Sequence, residues 1–418
     1  MRRRAFLGST VGFGAAGCLR LNSSDGTTTD GNAAVPSETS GGTDQEAVTD
    51  TETAAAEAGP TTANWRMLQA DAANTGHHPG TTGPKDDVKV SWALPGGQGA
   101  SSWLTPAIVN GTVFTAKRGT QLFAVDYADG EVHWKRPFEG HLVSSPAIED
   151  GRLFVGDTEG YLYAIDPADG TTVWQSNSLD GHPTSPVPLV NSVYTGLDDK
   201  LVSLSMDTGG VEWETELPGR VWAPAATPGR VFATATDGGR LYSLDAATGD
   251  VEWEYTTHTR VLEPPCVAGD LVYFAGRDGV CHAIDRTEGT EVWRYETGGG
   301  DRFTYSDGSQ REGTSSLAVA DETLYLTHRL DGVHALDAAT GEVQWTAETD
   351  AAVTVAPVVV DGVVYLADAN GNVTAVEVDG GSTLFTAEAG SNRPVFPPAV
   401  VDGRLFVGVG DFVALEPR

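Results

Sequence analysis

The sequence is poor in cysteine and in positive charge, and it has no long hydrophobic run. Its 418 residues include 3 Cys, and Lys and Arg number 26 against 58 Asp and Glu, which gives a net charge of −32. Such a surface repels phosphate backbones and anionic lipid headgroups, so it argues against binding to nucleic acid or to a bilayer by charge. The same excess of carboxylates is typical of proteins that work in concentrated salt, where the repulsion is screened, and we expect a halophilic setting.

Motifs of common catalytic and metal sites are also missing. There is no Cys-Cys pair, no Gly-x-Ser-x-Gly and no phosphate loop, and the nine His show no ligand spacing beyond His77-His78. The stretch from Asp368 to Asn372 has the oxygen side chains of a calcium loop, but its Gly is displaced and no Glu ends it, so we interpret it as a hairpin turn. We therefore predict no metal site and no catalytic residue, and a non-enzymatic role is favoured over an enzymatic one.

The N-terminus has the features of an export signal. Arg3-Arg4 followed by Phe6-Leu7 resembles the twin-arginine motif, and the apolar run from Gly8 to Gly17 is too short to span a bilayer. The run ends at Cys18 in a stretch that resembles a lipobox, so we expect residues 1–18 to be a signal and Cys18 to be lipidated. The chain would then lie on the outer side of the cytoplasmic membrane, held there only by its lipid anchor. A cleaved signal with an incidental Cys is the alternative.

Residues 19–62 consist mainly of Thr, Ser, Gly, Ala, Asp and Glu, a composition typical of a disordered acidic linker. Residues 63–418 are expected to form one domain. Three Asn-x-Ser/Thr sequences, at Asn22, Asn110 and Asn372, are possible glycosylation sites on the exported part.

A repeat of about forty residues fills this domain. Its most regular mark is a tryptophan, and the gaps between successive ones are 42, 40, 39, 40, 40 and 52 residues. These residues are Trp92, Trp134, Trp174, Trp213, Trp253, Trp293 and Trp345. Each unit contains short runs rich in Val, Phe and Tyr, separated by turn sequences such as Asp150-Gly151 and Asp169-Gly170, which predicts a four-stranded antiparallel meander.

The meanders are expected to form an all-β, eight-bladed β-propeller. A single meander leaves two faces and two edges open, whereas blades that pack radially cover their faces against one another. Eight stretches similar to Ala164-Ile165-Asp166 mark eight third strands, and seven blades is the alternative count. The last unit ends at Arg418 without a Trp, so we expect the strand that carries Trp92 to complete the final blade and close the ring.

The stretch from Ala164 to Trp174 resembles the tryptophan-docking motif of the pyrroloquinoline quinone (PQQ) type propeller repeats, and the resemblance extends from about Asn64 to the C-terminus. Within that family the chain is most similar to the BamB-like outer-membrane assembly lipoproteins, which are single propellers, and the segment from Trp65 to Gly76 shares in that similarity. The resemblance implies that the repeated Trp residues are structural and pack between blades. It also implies a binding or assembly scaffold with an envelope protein as partner, and the excess of carboxylates predicts a monomer.

Other members of the family are dehydrogenases that hold PQQ with a vicinal Cys disulfide, a stacked Trp and Ca²⁺. Here Cys266 and Cys281 fall on the first and third strands of one blade, about 10 Å apart at the usual strand spacing, so we expect two small core residues and no disulfide. No cofactor is therefore expected. The alternative is a PQQ-dependent dehydrogenase with an atypical site, in which Arg220, Arg260 and Arg393 hold the quinone carboxylates.

Two sets of loops should meet on one face of the ring: the inter-blade loops, which lead into each first strand, and the loops between strands two and three. These loops hold about half of the basic residues of the domain, and we expect them to form a mouth that binds an anion or an acidic peptide. Alternatively, the Arg residues pair with loop carboxylates such as Asp157, Asp198, Asp199, Asp237, Glu263 and Asp278. One inter-blade loop carries an insertion, residues 298–314, which is either a recognition loop or a disordered insertion. The candidate binding residues of the mouth and the insertion are His141, His182, Arg220, Trp222, Arg260, Phe303, Tyr305 and Arg393.

Overall fold

The computed structural model of the protein describes residues 63–418 except 97–102, 118, 258, 298–302, 305–309, 312–314, 329–331, 354 and 391–395. The described residues form 34 β-strands, which make eight four-stranded antiparallel sheets and one two-stranded hairpin. No described segment is a helix long and apolar enough to span a membrane. The expected lipidation of Cys18, the sequon at Asn22 and the linker lie outside the described residues.

The first four blades follow one another along the chain. Blade 1 contains β2 (Ala107–Val109), β3 (Thr112–Lys117), β4 (Gln121–Asp126) and β5 (Val132–Pro137). Blade 2 contains β6 (Ala147–Glu149), β7 (Arg152–Gly156), β8 (Leu162–Ile165) and β9 (Thr172–Gln175). Blade 3 contains β10 (Val187–Leu189), β11 (Ser192–Gly196), β12 (Lys200–Ser205) and β13 (Val211–Glu216). Blade 4 contains β14 (Ala225–Thr227), β15 (Arg230–Ala235), β16 (Arg240–Asp245) and β17 (Val251–Thr256).

The other four blades complete the ring. Blade 5 contains β18 (Cys266–Ala268), β19 (Leu271–Ala275), β20 (Val280–Asp285) and β21 (Glu291–Glu296), and the hairpin of β22 (Phe303–Thr304) and β23 (Gln310–Arg311) follows it. Blade 6 contains β24 (Ser315–Ala320), β25 (Thr323–His328), β26 (Gly332–Asp337) and β27 (Val343–Ala347). Blade 7 contains β28 (Val358–Val360), β29 (Val363–Ala367), β30 (Asn372–Glu377) and β31 (Thr383–Glu388). Blade 8 contains β32 (Ala399–Val401), β33 (Arg404–Val409) and β34 (Asp411–Pro417), with β1 (Val88–Leu94) as its fourth strand.

The turns between the first two strands have the backbone geometry that their sequences predict. Asp150 and Gly151 have φ of 52° and 70°, and Asp361 and Gly362 have 51° and 77°. Two successive residues of positive φ define the hairpin turn whose twist matches that of the strands, and Gly and Asp accept this geometry at little cost. The stretch at Asp368 is likewise a turn between two strands, in which the Asp368 carboxylate accepts hydrogen bonds from the backbone amides of Asn370 and Asn372, at 2.8 and 3.0 Å.

The ring closes through the N-terminal strand, as predicted. Strand β1 pairs antiparallel with β34, and Trp92 lies opposite Ala414. The ring centroids of Trp92 and Phe406 are 5.8 Å apart. Since the eighth sheet takes its fourth strand from the start of the domain, the eight-bladed count is confirmed and the seven-bladed alternative is wrong.

Each repeated tryptophan packs against the next blade. The indole of Trp174 donates a hydrogen bond to the Met206 carbonyl at 2.8 Å, and its ring lies against Gly209 in the turn before the fourth strand of blade 3. The same carbonyl bond and the same contact with a turn Gly occur for Trp92, Trp134, Trp213, Trp253, Trp293 and Trp345. Blade 7 has Phe385 at the corresponding position, opposite Ala375, which is why the tryptophan repeat skips one unit.

The segment before β1, residues 64–82, follows the inside of the ring, and we call it the axial segment. Its backbone carbonyls accept hydrogen bonds from a residue of the first strand in six blades, at 2.6–2.9 Å. The donor amides are those of Ile108, Ile148, Ala226, Val267, Val319 and Val359. In blade 8 the contact is made instead by Gly403, whose amide donates to the Thr82 carbonyl.

These hydrogen bonds solve an edge problem of the propeller. The first strand of each blade faces the axis with an unpaired edge, and a buried amide without an acceptor is costly. Blade 3 has Pro188 at the middle position, which has no amide hydrogen to satisfy. The side chain of Asn74, which is 1% exposed, adds bonds to the carbonyls of Pro224 and Pro265 at 3.0 and 3.1 Å. The axial segment therefore joins the innermost strands of most blades to one another.

The two cysteines of the domain lie where the repeat places them. Cys266 is on β18 and Cys281 on β20, both are buried and unpaired, and burial raises the pKa of each thiol. They pack in the core between blades 5 and 6 with Tyr273 and Trp293. Their environment is therefore that of small apolar residues.

Candidate functional site

A cavity of about 580 Å³ opens where the inter-blade loops meet the channel. Six of these loops contribute to it, together with Leu68 and Gln69 of the axial segment. The loop residues are Val143, His182, Thr184, Ser185, Arg220, Trp222, Ala223, Leu262, Glu263, Pro264, Val355, Ala356, Phe396 and Pro397. Since most of these side chains are apolar, the cavity has the character of a binding site for a partly hydrophobic group.

The two sets of loops do meet on one face, as predicted. Isolated bridges join the inter-blade loop to the end of the second strand in the same blade, for example Leu142 with Asp157 and Val261 with Gly276. This pairing fixes the inter-blade loops next to the ends of the second strands around the channel. The inter-blade loops thus form the walls of the cavity, and the strands below support them.

The structure brings together three of the predicted binding residues, His182, Arg220 and Trp222, in the lining of the cavity. His141 and Arg260 lie on the same loops but are exposed and do not line it. Phe303 is in the β22 hairpin, and only its backbone is described. Tyr305 and Arg393 lie outside the described residues.

The basic residues of the cavity already have partners. The guanidinium of Arg220 lies 5.1 Å from the ring centre of Trp222, within cation–π range. A ring nitrogen of His182 lies 2.7 Å from the Asp198 carboxylate. The Trp222 indole N–H is buried and has no hydrogen-bond acceptor among the described residues. Among the described residues that line the cavity, both basic side chains therefore have a partner, and the Trp222 indole is a neutral donor without one.

Glu263 is the unexpected member of the cavity. No described side chain forms a hydrogen bond or ion pair with its carboxylate, whereas its backbone carbonyl accepts a bond from Thr234 at 2.9 Å. The surrounding protein disfavours the charged form and raises its pKa from 4.5 to about 7. The sequence offered Glu263 only as one possible partner of a loop Arg, whereas the structure places it on the cavity wall with no described side-chain partner.

A signal for this residue was present in the repeat. In each blade, one residue lies four positions before the first-strand residue that corresponds to Ile108 of blade 1. By the register of the first and second strands these residues are Leu104, Ser144, Thr184, Trp222, Glu263, Ser315, Val355 and Phe396. We call them the ring position. Glu263 is the only ionisable residue among the eight.

A family comparison identifies the chain. The profile of the family described as outer membrane protein assembly factor BamB matches residues 62–221, 218–312 and 300–418. The chain belongs to this family. A search of curated proteins found no match.

Solved structures show the fold that BamB-family propellers share with other proteins. BamB from Moraxella catarrhalis is 18% identical, with a TM-score of 0.63 over 79% of this chain and 98% of that one. Quinohemoprotein alcohol dehydrogenase from Comamonas testosteroni is 15% identical, with a TM-score of 0.71 over 85% and 80%. A europium-containing methanol dehydrogenase is 14% identical, with a TM-score of 0.67 over 83% and 89%.

The dehydrogenase neighbours raise the question of whether a quinone and its metal fit this BamB-family cavity. Among the described residues no group of three His, Cys, Asp or Glu is placed to hold a metal ion. The cavity offers one carboxylate, Glu263, and neither Cys266 nor Cys281 lines it. The lining therefore does not fit a quinone clamped by calcium and a cysteine pair.

Proposed function

We propose that this protein is a non-catalytic binding scaffold of the cell envelope, exported and tethered through Cys18, and that its channel mouth holds a segment of a partner protein. The observation that carries the proposal is the cavity built by six inter-blade loops and the axial segment. The chain also belongs to a family whose description is that of an assembly factor, and this supports the same role. A rigid ring with loops that vary at one mouth is suited to recognition, because the loops change without cost to the strands.

The chemistry of the lining favours a protein segment over a small anion. Apolar side chains such as Leu262, Val355 and Phe396 outnumber polar ones, and Arg220 and His182 are already engaged by Trp222 and Asp198. An apolar anchor in a preformed cavity is the usual centre of a protein interface. An anionic ligand at the mouth, which the sequence favours as an equal candidate, is less well supported by this lining.

A capture experiment from native membranes tests the scaffold role. Purified protein with Trp222→Ala is compared with wild type and with a Val190→Ala control, whose exposed side chain lies on the opposite face. We expect one or more envelope proteins, identified by mass spectrometry, to be captured by wild type and the control and lost with Trp222→Ala. A third variant that lacks residues 298–314 tests the insertion. Equal capture by all four proteins would show that the mouth is not the binding surface.

A PQQ-dependent dehydrogenase is the alternative function, and the similarity in fold to the quinohemoprotein alcohol dehydrogenase is what favours it. In that case Arg220 would hold a quinone carboxylate from the cavity wall. Incubation of the pure protein with PQQ and Ca²⁺ distinguishes the two functions. A quinone absorbance that persists after gel filtration, together with dye reduction in the presence of an alcohol, would replace the scaffold proposal.

A further inference from the structure

Glu263 is a carboxylate that lines the channel cavity, and none of the described residues pairs with it. The other ring-position residues are neutral, so the charge is not required by the repeat. Two prolines, Pro264 and Pro265, follow Glu263, and the Thr234 hydroxyl donates a hydrogen bond to the Glu263 carbonyl. The prolines and this bond together restrict the backbone conformation at Glu263. An ionisable group without a compensating contact in a cavity wall costs stability, and such violations of local packing rules concentrate at functional sites.

We propose that the cavity binds an organic ammonium group carried on an apolar body, with Glu263 as its counter-ion. This inference deepens the proposed scaffold function and rests on it: the ammonium would come from a Lys side chain or the free N-terminus of the partner segment, or from a small free amine. The shared chemistry is a positive nitrogen joined to a hydrophobic group of a size that about 580 Å³ admits.

The electrostatics of the whole chain and of the cavity agree with a cation. A net charge of −32 draws cations towards every opening of the protein and keeps anions away. Inside the cavity an ion pair with an enclosed carboxylate is stronger than one at the surface, because the local dielectric is lower. The fold has already removed much of the water from Glu263, so the ligand gains the ion pair without that cost.

The other charged groups of the cavity oppose a cation only weakly. Arg220 is exposed and stacked on Trp222, so solvent screens its charge, and His182 is paired with Asp198. The apolar body of the ligand would pack against Leu68, Leu262 and Phe396. The cavity therefore combines one enclosed negative charge with an apolar wall.

The pH dependence follows from the titration of Glu263. Its pKa of about 7 means that the carboxylate is mostly neutral at pH 6 and mostly ionised at pH 8. An alkylammonium stays charged throughout this range, so its affinity is expected to rise roughly tenfold between pH 6 and pH 8. His182 and Arg220 are the other titratable residues that line the cavity, and a His182→Gln variant removes the contribution of the imidazole.

Calorimetric titration of the full-length protein with three matched probes tests the proposal. The probes are 4-phenylbutylamine, 4-phenylbutanol and 4-phenylbutyrate, which share the apolar body and differ in charge. At pH 8 we expect the amine to bind at least tenfold more tightly than the alcohol and the carboxylate. Glu263→Gln, which keeps the shape of the side chain, should remove this preference and the pH dependence, while the control Val190→Ala on the opposite face should keep both.

Several outcomes would overturn the proposal. These are equal binding of the three probes, tighter binding of 4-phenylbutyrate, or an unchanged preference for the amine in Glu263→Gln. A Lys-containing peptide and its acetyl-lysine counterpart, used as competitors of the amine, distinguish a protein ligand from a free amine. If the amine fails to bind but capture of envelope proteins still depends on Trp222, the scaffold function stands and the ammonium site does not.

Discussion

Replacing Gly209 with Ala measures how much the tryptophan contacts contribute to the stability of the ring. A Cβ at this position would overlap Cε3 of Trp174 and lie 2.8 Å from its Cδ2. Carbon atoms in contact are about 3.5–4.0 Å apart, so the ring must move away from the carbonyl of Met206, to which it donates a hydrogen bond. Overpacking of this kind costs about 1–3 kcal/mol.

Gly151→Ala is the matched control. Gly209 and Gly151 have φ of 69° and 70°, so an Ala side chain at either position pays the same cost, about 1–2 kcal/mol, for the left-handed backbone. A Cβ at Gly151 meets no atom within 4 Å. We therefore expect Gly209→Ala to lower the free energy of unfolding by about 1–3 kcal/mol more than Gly151→Ala does.

Urea unfolding followed by far-ultraviolet circular dichroism, at fixed salt, measures both variants. The double variant with Trp174→Phe adds a second test, because the smaller ring leaves room for the new methyl group. The two substitutions should then be non-additive by about 1 kcal/mol. If Gly209→Ala and Gly151→Ala cost the same, the contact between the ring and the turn contributes nothing beyond backbone geometry, and the reasoning fails.

Three further predictions concern the axial segment, the half-buried carboxylate of Glu263 and the net charge. Asn74→Ala leaves the carbonyls of Pro224 and Pro265 without their donor, and we expect urea titration to show a loss of about 2–4 kcal/mol, against less than about 0.5 for the exposed Asn191→Ala. Glu263 has a pKa raised from 4.5 to about 7, so the folded state binds the extra proton between these values and the protein loses stability as pH rises through this range. Glu263→Gln should match wild type near pH 4.5 and exceed its free energy of unfolding by up to about 3 kcal/mol at pH 8, and identical pH profiles of the two proteins would contradict the assigned burial. With a net charge of −32, the thermal midpoint should rise when KCl is increased from about 0.1 to 1 M, which shortens the screening length from about 10 to 3 Å, and a falling midpoint in scanning calorimetry would argue against salt adaptation.

The repeat made the architecture predictable from the sequence. Trp spacing, paired turn residues and short apolar strands are local signals, and each blade satisfies them within about forty residues. The closure by β1 was also predictable, since Trp92 stands in a unit that has no other strands before it. Even the contact of each Trp with a turn Gly follows from the motif, because both residues recur in every unit but the one that has Phe385.

The site was predictable only in part. The loops that form the mouth follow from the strand order, and three of the predicted residues, His182, Arg220 and Trp222, do line the cavity. The sequence also favoured a basic mouth, but charge counts along loops do not show which side chains are already paired. The ion pair of His182 with Asp198 and the stacking of Arg220 on Trp222 depend on the three-dimensional arrangement of those loops.

What the sequence determined by itself is therefore the blade, the number of blades and the face on which the loops meet, since these depend on contacts between residues close in the chain. Only the tertiary structure decided that residues 64–82 run inside the ring and bond to elements as distant as β28 and the turn before β33. It also decided that Glu263 stands without a partner in a shared cavity. Both features arise from groups far apart in sequence that share one enclosed space, and the burial that raises a pKa is a property of that space and not of the residue.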